Sequence, residues 1–160
     1  MRLIIIIAYI FLSFKTFGQN IILEKGEYID TASDQTLICK NYTAYYYQVG
    51  GKYTENSASL LKELLLFQQD KTQIDSGSGN ITFRFTVNCE GEVMKKVEVM
   101  QTDEKYNLCH FQKQFVNQLF LFFKTLKKWK IVKGRNGEPL NYLAFIIFKI
   151  KNGKVINIIP

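Results

Sequence analysis

ITFRFTVNCEGEVMKKVEVM, residues 81–100, is the stretch whose reading decides the fold. Ile81, Phe83, Phe85 and Val87 alternate with Thr82, Arg84 and Thr86. In an extended chain successive side chains switch faces, so the apolar set shares one side. Asn88-Cys89-Glu90-Gly91 breaks the alternation with turn formers. Val93, Val97 and Val99 then resume the apolar set, with Lys95, Lys96 and Glu98 between them. The two runs predict a β-hairpin with one buried face. The period slips around Met94–Lys96, where a β-bulge would return the valines to that face.

Downstream, Asn107 can cap a helix from Leu108 to Lys128. Phe111, Phe115, Leu119, Phe122 and Leu126 recur every three or four residues, widened by Val116 and Phe123, so the stripe can lie across a sheet. Each such side chain contributes about 1.5–3 kcal/mol when fully buried, so this helix should hold the largest share of the core. Lys124, Lys127, Lys128 and Lys130 crowd its end, where cations suit the helix dipole. That solvated, dipole-matched face outweighs a reading of the lysines as an anionic-ligand site. Gly134-Arg135-Asn136-Gly137-Glu138-Pro139 reads as a loop, and Leu140–Ile150 as a strand with apolar residues on both faces around Phe145–Phe148. Asn152-Gly153 makes a tight turn into a short return strand, Val155–Ile158.

Upstream, Asp75–Asn80 is a connector with two glycines and no apolar side chain. Before it, Asn56-Ser57 offers a cap for a helix over Ser57–Gln69, with Leu60, Leu61, Leu64, Leu65 and Phe67 at helical spacing. Tyr42–Val49 reads as a strand stopped by Gly50-Gly51, its tyrosines covering the core rather than forming a binding cluster. Asn20–Lys40 has no clear period, and Thr31–Asp34 looks like a loop. At the start, Met1-Arg2 precedes an apolar run, Leu3–Phe14, shorter than the roughly 20 residues a spanning helix needs. Small residues follow at Thr16 and Gly18. Residues 1–19 therefore read as a signal peptide cleaved after Gly18 or Gln19, which places the mature chain in the periplasm or outside the cell. An uncleaved inner-membrane anchor is the alternative. Residues 20–52 then form an N-terminal extension with one strand, and residues 53–160 the main domain.

The chain has 160 residues, 47% hydrophobic and 14% aromatic, which suits a single core. Its net charge is +7; residues 1–19 hold Arg2, Lys15 and no acid, so the mature charge is +5. No nucleic-acid motif accompanies this excess, so nucleic acid is not an expected partner. Only Pro139 and Pro160 are prolines, which excludes a proline-rich spacer.

Cys39, Cys89 and Cys109 do not fit the four paired ligands of structural zinc, so no metal site is expected. In an oxidising compartment a Cys89–Cys109 disulfide is the leading reading, with one partner at the hairpin turn and the other at the start of the next helix. Closing a loop of that size stabilises by about 3 kcal/mol. Pairing of Cys39 with either of the others, and three thiols, stay open. Cys109 adjoins His110, the only histidine. A thiol nucleophile needs a base in reach and a third group to orient it, and adjacent helical residues do not face each other. No catalytic residue, cofactor or small-molecule substrate is assigned. Asn41-Tyr42-Thr43 and Asn80-Ile81-Thr82 match glycosylation acceptors and are read as chance matches.

Residues 56–150 resemble the TonB C-terminal domain family. The matching segments are Ile81–Val87, Glu90-Gly91-Glu92-Val93, Val97-Glu98-Val99, Leu126-Lys127-Lys128-Trp129, Gly137-Glu138-Pro139-Leu140 and the strand ending Phe145-Ile146-Ile147-Phe148. The chain is most similar to the small secreted TonB-related proteins of Bacteroidetes type. The resemblance implies an α+β fold: a two-layer sandwich of a three-stranded antiparallel sheet with helices on one face. The N-terminal strand extension is added to it. It also implies β-strand addition, in which the last strand pairs with a short segment of an outer-membrane transporter. The matching strand here is Tyr142–Ile150, whose alternate residues Tyr142, Ala144, Ile146, Phe148 and Ile150 would mark the partner-binding edge. The chain departs from the family in having Lys130-Ile131-Val132 where a proline often follows the tryptophan. It also lacks the proline-rich spacer and spanning anchor of a force transducer. The expectation is a secreted or periplasmic, non-enzymatic interaction module that binds a protein partner of the cell envelope, such as an outer-membrane protein. The alternative is a structural or assembly protein that forms a homodimer through strand edges. Neither carries an energy-transducing role.

Overall fold

The computed structural model describes residues 21–22, 27–29, 43–68 and 76–160. In chain order these form β1 (Ile21–Ile22), β2 (Glu27–Ile29), β3 (Thr43–Tyr45), α1 (Tyr46–Val49), α2 (Ser57–Phe67), β4 (Gly79–Val87), β5 (Val93–Asp103), α3 (Lys113–Thr125), β6 (Val132–Lys133), β7 (Pro139–Lys151) and β8 (Lys154–Ile159). One sheet runs β1-β2-β5-β4-β7-β3, and β6 and β8 also pair with β7. β3 lies parallel to β7, while the other pairs are antiparallel. The three expected strands are the antiparallel centre, β5-β4-β7. The sheet is wider than the three strands implied by the resemblance, because residues 21–45 supply three strands rather than one and β6 and β8 add two more. The expected signal segment, residues 1–19, lies outside the described residues.

The hairpin forms where the alternation places it. Phe83 pairs with Val99 and Phe85 with Val97, but Val87 pairs with Val93, so the register shifts between Phe85 and Val87. Met94–Lys96 therefore stand opposite Thr86 alone. This bulge falls where the alternation slips, and it returns Val97 and Val99 to the buried face. Asn88 builds the turn. Its Oδ1 accepts the N–H groups of Glu90 and Glu92, each at 2.9 Å, and its own N–H donates to Glu92 O at 2.8 Å. Gly91 follows at φ +81°, and a Cβ there would lie 3.0 Å from Trp129 O. Asn88→Ala should therefore leave two amides without their acceptor and cost about 1–2 kcal/mol by urea unfolding. Asn88→Asp, which keeps the acceptor, should recover most of that loss.

The aromatic helix is shorter than its periodicity predicts. Asp103 Oδ1 accepts the N–H groups of Lys105 and Asn107, each at 2.8 Å, and closes a turn. Leu108 then bridges back to Thr102, and Cys109 N–H donates to Gln101 O at 3.2 Å. The Gln101 side chain takes the Phe111 N–H at 2.8 Å. Residues 108–111 are thus laid along β5, and the helix starts at Lys113 after Gln112 as N-cap. It ends at Thr125, whose hydroxyl donates to Phe122 O at 2.6 Å. Asn107 serves the turn and not the helix.

The core lies between one face of the sheet and the helices. Phe83 meets Phe120, Phe123 and Phe148 at centroid distances of 5.8, 5.5 and 5.6 Å. Phe85 meets Phe123 at 4.7 Å and Trp129 at 4.8 Å. In α2, Asn56 Oδ1 caps the Ser59 N–H at 2.9 Å, Leu60 and Leu64 are fully buried, and Phe67 meets Phe122 at 5.7 Å. The expected strand over Tyr42–Val49 divides into β3 and α1. Gln48 Oε1 accepts the Tyr45 N–H at 3.0 Å, which turns the chain, and Gly50 ends α1 in the left-handed region at φ +63°. Asn152 and Gly153, at φ +49° and +71°, make the expected tight turn between β7 and β8.

Candidate functional site: an open strand edge beside an apolar helix

β7, which the resemblance marks as the partner-binding edge, is paired along most of both flanks. On one flank Tyr142–Ile150 pairs in full with β4. On the other, β3 pairs with Asn141–Leu143 and β8 with Ile147–Lys151. Tyr142, Ala144, Ile146, Phe148 and Ile150 are all buried in the core. The physical reason is that β3 and β8 meet the main chain that a partner strand would have met, except over residues 144–146. The apolar residues on both faces of this stretch fit an interior strand. Burial pushes the Tyr142 phenol well above its ordinary pKa, so it keeps its proton. Between β3 and β8, over residues 144–146, lies a cavity of about 260 Å³ lined by Tyr46, Tyr47, Gly51, Trp129, Phe145 and Pro160. The Tyr46 ring stands edge-on to Phe145 at 4.8 Å.

The open edge is one strand further out. Among the described residues β8 pairs with β7 alone. Its register shifts between Lys149 and Ile150: Asn157 pairs with Lys149 and Val155 with Ile150. Ile156 falls between these pairs and is 53% exposed. Ile158 is buried, while its N–H donates to Asn157 Oδ1 at 2.9 Å. One main-chain donor of the edge strand is therefore held by its neighbour's side chain, a mild protection against pairing. α2 packs against β8. Leu60 and Leu64 bury, but Leu65 and Leu66 are 58% and 61% exposed. A strand edge with no second partner among the described residues, carrying an exposed isoleucine, can take a further strand by main-chain hydrogen bonds and apolar contact. One signal near this edge was present in the sequence: leucines at 60, 61, 64, 65 and 66 exceed one helical face.

The expected Cys89–Cys109 disulfide is not formed. Cys109 is a half-buried thiol. Cys89 sits at the β4–β5 turn, whereas Cys109 hydrogen-bonds Gln101, eight residues along β5 from Val93. At about 3.3 Å per residue that separation is about 26 Å, far beyond the roughly 7 Å limit between bridged Cα atoms. Of the four lysines assigned to the helix end, only Lys124 lies in the last turn of α3. Lys128 instead pairs with Glu55 at 2.6 Å, which raises its pKa. Asp103 is lowered, chiefly by the Asn107 side chain that donates to it at 3.1 Å. Both shifts belong to structural ties. Among the described residues no group of three or more His, Cys, Asp or Glu side chains is placed to hold a metal ion. No family model matches this chain, and neither a curated protein nor a solved structure matches it.

Proposed function

We infer that this chain is a secreted or periplasmic, non-enzymatic protein-interaction module of the TonB C-terminal-like kind. It binds an envelope partner by strand addition to β8 rather than to β7. The observation that carries this reading is the edge itself: among the described residues β8 has one paired flank, and Ile156 on that strand is exposed. Main-chain bonds to such an edge supply affinity, and pockets for alternate side chains supply selectivity. The homodimer is the second reading, favoured by the same edge, because two β8 strands can pair antiparallel about a two-fold axis.

The test is cross-linking mass spectrometry on tagged chain captured from an envelope fraction, together with light scattering of the purified protein. Cross-links from Lys154 to a single envelope protein, weakened about tenfold by Ile156→Lys at unchanged melting temperature, are expected. A dimer that Ile156→Lys converts to monomer would assign the edge to self-association. Cross-links confined to other faces, or capture indifferent to Ile156→Lys, would reject strand addition at β8.

A further inference from the structure

A second site stands apart from the outer edge of β8. It is the cavity of about 260 Å³ over residues 144–146, where β3 leaves β7 at Leu143 and β8 reaches only Ile147. Gly51, Trp129 and Ala144 are its buried lining, and the rest of it is accessible. Tyr47 is 66% exposed, and Tyr46, Phe145 and Pro160 are half-buried. The rings hold one another in place. Tyr46 stands edge-on to Phe145 at 4.8 Å and to Tyr47 at 5.5 Å, and Tyr47 stacks on Tyr45 at 5.5 Å. A pair of exposed lysines stands at the mouth. Tyr53 bridges Trp129 in the antiparallel sense and Lys130 N–H donates to Lys52 O at 3.0 Å, so Lys52 and Lys130 stand opposite each other. Lys52 lines the cavity, and Lys130 Nζ is 3.8 Å from where a Cβ on Gly50, another lining residue, would stand. Like charges directly opposite each other repel, and an anion at the mouth turns that repulsion into two attractions.

We propose that this cavity binds a small aromatic carboxylate, its ring among Tyr46, Tyr47 and Phe145 and its carboxylate at Lys52 and Lys130. Each part of the ligand is selected by a separate feature. Rings that already meet edge-on take a further ring in the same edge-to-face or offset geometry. The two ammonium groups select an anion over a neutral aromatic molecule of the same shape. The volume lies just below the roughly 300–1,000 Å³ of pockets that enclose a drug-sized ligand, which bounds the occupant to one ring with a short acid tail. The ring contacts set the walls before binding, so little ordering is lost when the ligand enters.

Trp129 is the chain's single tryptophan and lines the cavity, so its emission reports on the site directly. The experiment titrates the whole chain with phenylacetate, with phenylethyl alcohol and with a short peptide ending in phenylalanine. Phenylacetate is expected to give a saturable change, weakened by added salt, and the alcohol to bind at least about tenfold more weakly. Lys52→Gln/Lys130→Gln should weaken phenylacetate by at least about tenfold at unchanged melting temperature, and Tyr47→Ala, which removes an exposed ring, should weaken it severalfold. No saturable change up to about 10 mM, equal binding of the alcohol, or binding indifferent to the lysine variant would overturn the proposal. So would tighter binding of the peptide than of the free acid, which would assign the cavity to a partner's chain end. Ile156→Lys should leave this binding unchanged, which separates failure here from failure of strand addition at β8.

Discussion

Phe123→Ala should lower the unfolding free energy by about 3–5 kcal/mol, the largest effect expected of any single truncation in the chain. Phe123 is 2% exposed and touches three aromatic neighbours: Phe83 at 5.5 Å, Phe85 at 4.7 Å and Phe120 at 6.0 Å. Removing its ring deletes apolar burial and leaves a void between α3 and β4, which strand and helix close only in part. Phe123→Leu keeps most of the volume and should cost less than half as much. Leu121, in the same helix but outside the buried set, is the contrast: Leu121→Ala should cost under about 1 kcal/mol. Urea unfolding of the three variants measures the order. A Phe123→Ala cost below that of Leu121→Ala would mean that α3 does not hold the centre of the core.

That centre is legible in the sequence. The two-residue period of Ile81–Val87 and the aromatic spacing from Phe115 to Phe123 each name a buried face, and the two faces meet. The bulge was legible as well, because Met94–Lys96 interrupts a period that resumes at Val97. What was not legible depends on partners far away in sequence. The helix start moves from Leu108 to Lys113 because the Gln101 carbonyl and side chain capture Cys109 and Phe111. Local propensity does not register those bonds. β7 loses most of its edge to Thr43–Tyr45, whose parallel pairing a three-residue strand does not announce, and to the return strand Lys154–Ile159, whose hairpin the Asn152-Gly153 turn did announce. The candidate site moved for that reason: the resemblance pointed to the last long strand, and the chain adds β8 outside it.

A disulfide between Cys39 and Cys89 is the second large effect expected, and reach along the chain decides it. Cys39 lies outside the described residues but stands four positions before Thr43 in sequence. Four residues span at most about 14 Å. Thr43 pairs with Asn141, and Asn141 Oδ1 accepts the Cys89 N–H at 3.1 Å. The anchor of Cys39 is therefore one strand spacing, about 4.8 Å, from a residue bonded to Cys89. Cys109 lies at the other end of β5. Non-reducing peptide mapping of protein from an oxidising compartment should give a Cys39–Cys89 linked peptide and an alkylated Cys109. Cys89→Ser should remove about 4 kcal/mol of stability in the chain-entropy account, since the bridge closes a loop of about 50 residues. Cys109→Ser should cost well under half of that. The consequence reaches the sheet, because β3 is a three-residue parallel strand with few main-chain bonds of its own. A covalent tie from residue 39 to the β4–β5 turn would hold β3 against β7. Reduction should therefore speed hydrogen exchange at Thr43–Tyr45 while leaving β4 protected. A Cys89–Cys109 linked peptide, or three alkylated thiols with full stability, would refute the pairing and leave the β3 flank of β7 without its covalent tie.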